Sequence, residues 1–94
     1  MLQVLIATGG SDQSSIAVQM GVYLDDLLDV DVTILTVIPD AKGEANGGQV
    51  LDEARAYFDD SAEHIHLKLR TGNPADEIVA EANSGSYDLI ILGE

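Results

Sequence analysis

The period of the apolar positions changes repeatedly along the chain, and each change marks an element. Val4 to Ala7 is a continuous apolar run within a first strand from Leu2 to Ala7, the pattern of a central parallel strand covered on both faces. After the turn Thr8-Gly9-Gly10-Ser11-Asp12-Gln13-Ser14, Ile16, Met20, Tyr23, Leu24, Leu27 and Leu28 fall on one face at helical spacing. They predict a first helix with that stripe inward, its first amides capped by Ser11, Asp12 or Ser14. Val30 to Ile38 is rich in β-branched residues and reads as a second strand, stopped by Pro39. Residues 39–48 carry three glycines, a proline and no apolar period, which predicts a mobile loop.

A second helix is expected from about Gln49 to Ala62, with Val50, Leu51, Ala54, Tyr57, Phe58 and Ala62 inward. A third strand alternates cleanly, Ile65, Leu67 and Leu69 on one side and His64, His66, Lys68 and Arg70 on the other. Its polar side predicts an exposed edge strand, where Lys68 and Arg70 discourage aggregation. Gly72-Asn73-Pro74-Ala75-Asp76-Glu77 reads as a helix start: Asn73 as N-cap, Pro74 in the first helical position, and acids that complement the dipole. Ile78, Val79 and Ala82 form that helix's expected inner face, Asn83 to Ser86 ends it, and Tyr87 to Leu92 supplies the fourth strand.

The order β-α-β-α-β-α-β with short connections predicts an α/β fold: a three-layer open parallel sheet with right-handed crossovers and helices on both faces. At 94 residues one domain, 1–94, is expected. The fourth strand carries a conflict. Leu89, Ile90, Ile91 and Leu92 have the composition of a strand with neighbours on both edges, yet the given sequence stops at Glu94. Either the polypeptide continues with segments not given, or a partner chain covers that edge; continuation is slightly favoured over a homodimer that completes the sheet.

Seventeen acidic and four basic residues give a formal net charge of −13. A field of that sign argues against nucleic acid and anionic membrane partners, and against free triphosphates without Mg²⁺ or converging backbone amides. A solvated acidic surface and high-salt adaptation both account for it. No apolar run approaches the length of a membrane span, so no membrane insertion is expected. The absence of cysteine removes disulfides and thiolate metal sites, and with no visible signal peptide it favours a cytoplasmic location.

Candidate chemistry is sparse. His64 and His66 share a strand face, but two ligands without a third make a poor metal site, and solvated histidines are the expectation. Asp25-Asp26 and Asp59-Asp60 are expected to face water near helix ends. No catalytic triad is legible, and no catalytic or metal-binding residue is assigned. The turn from Thr8 to Ser14 lies where ligands sit in open α/β sheets, at the carboxyl ends of adjoining strands that diverge.

The strand ending in Thr-x-Gly-Ser, the second strand's Val37-Ile38-Pro39, the helix start Gly72-Asn73-Pro74-Ala75-Asp76-Glu77-Ile78 and the closing Asp88-Leu89-Ile90-Ile91-Leu92-Gly93 together resemble the universal stress protein family over essentially all 94 residues. The resemblance implies a Rossmann-like sheet of order 3-2-1-4-5. Here that becomes 3-2-1-4, the fifth strand being absent from the given chain, in agreement with strand three as an edge. One branch of the family binds ATP. The resemblance places adenine contacts at Ile6, Ala7, Thr8 and Val37 and the start of a phosphate loop at Gly93. It also marks a departure: Gly9 stands where an acidic adenine contact is expected. Of the phosphate-binding pattern G-x2-G-x9-G-[ST], only Gly93 is present.

The expected cofactor-binding set is therefore Ala7, Thr8, Gly9, Gly10, Ser11, Val37 and Gly93, with ATP and Mg²⁺ as the possible ligand and none certain. The implied function is a non-enzymatic regulatory or stress-response domain, weakly binding an adenine nucleotide and commonly homodimeric. The alternative is a cytosolic interaction domain without a nucleotide, as appended to a transporter or sensor. A remote third reading takes Thr8-Gly9-Gly10-Ser11-Asp12 as similar to the S-G-G-x-D-[ST] loop of ATP pyrophosphatases, with Gln13 where that loop needs Ser or Thr.

Overall fold

The computed structural model describes residues 1–9, 12–59 and 63–93, and the backbone alone for residues 12–14. The elements are β1 (Leu2–Ala7), α1 (Asp12–Leu27), β2 (Val30–Ile38), a short 3₁₀ turn (Ala41–Gly43), α2 (Glu44–Arg55), β3 (Ile65–Thr71), α3 (Pro74–Ser84) and β4 (Leu89–Leu92). The strands form one parallel sheet in the order β3-β2-β1-β4. β1 and β2 have the bounds that the sequence predicts, because segments dominated by β-branched and aliphatic residues suit strands flanked on both sides.

Alternation along each strand divides the structure into two packing layers. Val4, Ile6, Val32, Ile34 and Ile65 point to one face, where Ala17 and Val18 of α1 and Leu51 and Ala54 of α2, with Phe58, complete the main core. Leu5, Ala7 and Leu35 point to the other face, which α3 covers over β2 and β3. Among the described residues β4 is an edge strand, with Leu89, Ile90 and Leu92 exposed.

Three expectations about packing are corrected. On α1, Ile16, Met20, Tyr23, Leu27 and Leu28 are exposed, and the helix meets the sheet through Ala17, Val18 and Gly21 instead. Small residues win because they let the helix approach closely: a Cβ at Gly21 would overlap the Cδ1 of the fully buried Ile6. The chain after Pro39 is ordered as the 3₁₀ turn and then as helix from Glu44, five residues before the predicted start. Gly47 explains this. It faces the core of α2, where a Cβ would sit 2.7 Å from Leu69 Cδ1 and 2.9 Å from Ile38 Cγ2. The helix also ends early, at Arg55; Tyr57 beyond it is exposed, and Ala62 lies outside the described residues.

On α3, Val79 is exposed while Glu81 is buried. The physical cause lies across the layer. The polar side of β3 faces α3, and Arg70 and Lys68 draw the Glu81 carboxylate inward at 2.8 and 3.0 Å, while Arg70 also pairs with Glu77 at 2.9 Å. Lys68 and Arg70 are thus partners of a helix as well as guards of an edge. The helix start behaves as its sequence predicts: Asn73 Oδ1 accepts from the Asp76 N–H at 3.1 Å and Pro74 opens the helix. The preceding Gly72 adopts φ 142°, a conformation that favours glycine.

Candidate functional site

A cavity of about 170 Å³ opens at the carboxyl ends of β1 and β2, on the α3 side of the sheet. Ala7, Thr8 and Gly9 come from the end of β1, Leu35 and Val37 from β2, Gly93 from just past β4, and Pro74 and Ile78 from the first turns of α3. Register brings them together: Ala7 pairs with both Leu35 and Leu92, which sets Gly93 beside the strand end that carries Thr8.

Backbone bonds fix the rim. The Thr8 N–H donates to Leu35 O at 2.9 Å, the Gly93 N–H donates to Ala7 O at 3.0 Å, and the Thr36 hydroxyl donates to Thr8 O at 2.7 Å. Because Leu35 bonds toward β1, the alternation of a parallel ladder turns the N–H and C=O of Val37 to that side as well, two residues past the Ala7–Leu35 pair that ends the ladder.

Among the described residues, the walls carry no carboxylate, imidazole or cation, and Thr8 is the one hydroxyl-bearing residue in them. The N-terminus of α3 offers partial positive charge, but Asn73 caps it and Asp76 and Glu77 occupy its first turn. Lys68 and Arg70 are held by Glu77 and Glu81. The cavity is smaller than the roughly 300–1,000 Å³ usual for a small-molecule site. It therefore fits a ring rather than a whole nucleotide, and the described residues form no phosphate cradle.

Five of the seven sequence-predicted residues, Ala7, Thr8, Gly9, Val37 and Gly93, line this one cavity. Gly10 and Ser11 lie outside the described residues, as does the part of the Thr8–Asp12 loop that they form. Ile6, also implicated by resemblance, points to the opposite face and packs in the main core. Sequence reasoning missed Leu35, Pro74 and Ile78; the period-2 alternation of β2 was the available signal for Leu35, two positions before Val37.

The histidines do not converge. His64 Nε2 lies 2.6 Å from Asp25 Oδ1 on α1, and His66 Nε2 lies 3.0 Å from Asp31 Oδ1 on β2. Asp25, expected in open water, is half-buried against His64. Among the described residues, no group of three or more His, Cys, Asp or Glu is placed to hold a metal ion. No helix among them is long and apolar enough to cross a membrane.

A parallel sheet of order 3-2-1-4 with helices on both faces and a small cleft at its carboxyl edge defines a Rossmann-like α/β domain. The universal stress protein family matches residues 1–94, and the chain belongs to that family. No curated protein matches it. Among solved structures it is similar to a universal stress protein in complex with cAMP, with TM-score 0.73 and 27% identity over 95% of this chain and 69% of that one. It is also similar to a protein from Mycobacterium tuberculosis H37Rv, with TM-score 0.72 and 23% identity over 98% of this chain and 70% of that one. The universal stress protein UspA from Lactobacillus plantarum aligns with TM-score 0.69 and 21% identity, covering 97% and 75% of the two chains.

Proposed function

We propose that residues 1–94 form one regulatory unit of the universal stress protein type, whose cavity takes the base of an adenine nucleoside or nucleotide and performs no chemistry on it. The observation that carries this reading is the meeting of Ala7, Thr8, Gly9, Val37 and Gly93 in one apolar cleft at the end of the central strands. The relative in complex with cAMP supports the ligand class. The apolar character of the wall that the described residues form supports binding rather than catalysis.

Charge ranks the ligands. With a net charge of −13 and no cation among the described residues of the cavity wall, each added phosphate costs affinity, so adenosine and cAMP should bind as well as or better than Mg-ATP. A cytoplasmic location and a second chain on the exposed β4 edge, most simply a homodimer, belong to the same reading. Titration calorimetry of the chain with adenosine, cAMP and Mg-ATP tests it. Heat saturating in the range of about 10 µM to 1 mM for adenosine or cAMP is expected; no heat from any of the three at millimolar ligand would end the proposal.

A further inference from the structure

The stripe on α1 that points away from the core has the form of an interaction seam. Ile16, Met20, Tyr23 and Leu27 are separated by four, three and four residues, the heptad spacing of a helix that pairs with another helix. Each of them is 49–63% exposed, although the same spacing in a buried helix would be core. Four large apolar side chains in a row along one helix exceed what scattered surface residues explain.

A second observation lies beside the stripe. Gln19, Val22, Tyr23 and Asp26 of α1, with Tyr57 just past α2, line a groove of about 310 Å³. Two phenol faces and one carboxylate around such a groove suit the stem and charged head of a lysine or arginine, by apolar contact, cation–π attraction and an ion pair together.

Electrostatics at this end of α1 point the same way. Asp25 and Asp26 occupy the last turn, where the negative end of the helix dipole disfavours them, and that turn holds no basic residue. His64 partners Asp25, which leaves the exposed Asp26 at the groove. With Asp26 at the groove and a net charge of −13 on the chain, a cationic occupant is favoured.

We propose that the outer face of α1 docks a basic amphipathic helix of a partner protein, its apolar side along Ile16, Met20, Tyr23 and Leu27 and one lysine or arginine in the groove between Tyr23, Tyr57 and Asp26. This surface lies on the opposite side of the sheet from the nucleoside cavity and does not depend on it.

Fluorescence anisotropy with a labelled leucine–lysine peptide of about 18 residues, its leucines at heptad spacing, tests the proposal. A scrambled peptide of equal composition controls for charge alone. The ordered peptide should bind at least about tenfold more tightly than the scrambled one. Met20→Glu and Leu27→Glu should each weaken it about tenfold, although both make the chain more acidic, whereas attraction by charge alone would strengthen it. Tyr57→Ala and Asp26→Asn should weaken it severalfold, and melting curves should show all four variants folded. Equal binding of ordered and scrambled peptides overturns the proposal. So does tighter binding by Met20→Glu, or a dimer of the free chain that Met20→Glu and Leu27→Glu dissociate, because a second copy would then own the seam.

Discussion

Replacing Glu81 by alanine should cost about 2 kcal/mol, while replacing Val79, two residues earlier on the same helix, should cost under about 0.5 kcal/mol. The apolar pattern alone ranks them the other way. Glu81 is 1% exposed, and its carboxylate accepts from Arg70 Nη1 at 2.8 Å, Lys68 Nζ at 3.0 Å and Tyr87 Oη at 2.8 Å. Removing one partner of a fully buried ion pair typically costs about 3–5 kcal/mol. The cost here is lower because the half-exposed Lys68 ammonium regains water and Arg70 keeps Glu77. Val79 is 58% exposed and leaves no cavity behind.

Urea unfolding followed by circular dichroism measures both variants, and Glu81→Ala should also lower Tm by about 10 °C, at roughly 4–8 °C per kcal/mol for a domain of this size. Acid adds a second arm. Burial favours the protonated Glu81, but the hydrogen bonds from Lys68, Tyr87 and Arg70 outweigh it and hold the carboxyl below its ordinary 4.5. A depressed native value means that the stabilisation is complete above 4.5 and disappears as pH falls through that lower value. The gap between wild type and Glu81→Ala should be flat from neutral pH down to about 5 and close in stronger acid. A larger loss from Val79→Ala than from Glu81→Ala, or a gap that persists undiminished in acid, refutes the account of how α3 is held.

Adjacent glycines of α2 should respond with opposite signs. Gly48→Ala meets nothing within 4 Å and should gain about 0.5–1 kcal/mol from helix propensity, whereas Gly47→Ala drives a methyl against Leu69 and Ile38 and should lose about 1 kcal/mol net, both read from urea midpoints. Asn73→Ala removes the cap on the Asp76 N–H and should cost about 1 kcal/mol in the same assay, with Asn73→Ser recovering most of it. Ile78→Trp, at a half-buried wall position, should fill the cavity and abolish the calorimetric heat of adenosine while changing Tm by only a few degrees.

What the sequence made legible follows from how directly a residue's local pattern reports its surroundings. β1 and β2 were legible because each lies between two strands and is dominated by aliphatic and β-branched residues, and α3 began where Asn73-Pro74 demanded. The faces of the helices were not, since periodicity counts large apolar residues and cannot see how closely a helix lies to the sheet. Gly21 against Ile6 brings α1 so near that Ala17 and Val18 suffice as its inner surface. Gly47 does the same for α2, so that one glycine of a pair that reads as a loop becomes a contact. Glu81 was hidden for a different reason: its burial depends on Lys68 and Arg70, thirteen and eleven residues away on another element. In the cavity, the wall contributed by consecutive strand-end residues was legible, and the wall contributed by α3 required the tertiary fold.

The two proposed surfaces share one strand, and its packing decides whether they communicate. Ile6 lies under α1 beside Gly21, and the next residue, Ala7, is in the cavity wall on the other face. Both are buried, and β1 is bonded along its length to β2 and over its second half to β4. A close-packed central strand with neighbours on both edges has one arrangement, and coupling between distant sites needs an element with two. A peptide on the outward stripe of α1 should therefore leave adenosine affinity unchanged within about twofold, and adenosine should leave peptide affinity unchanged to the same extent. Calorimetric titration of adenosine into the chain with and without saturating leucine–lysine peptide measures this directly. A shift beyond about fivefold would show that β1 moves as a two-state element between Ile6 and Ala7, and would make the helix surface a regulator of the nucleoside site.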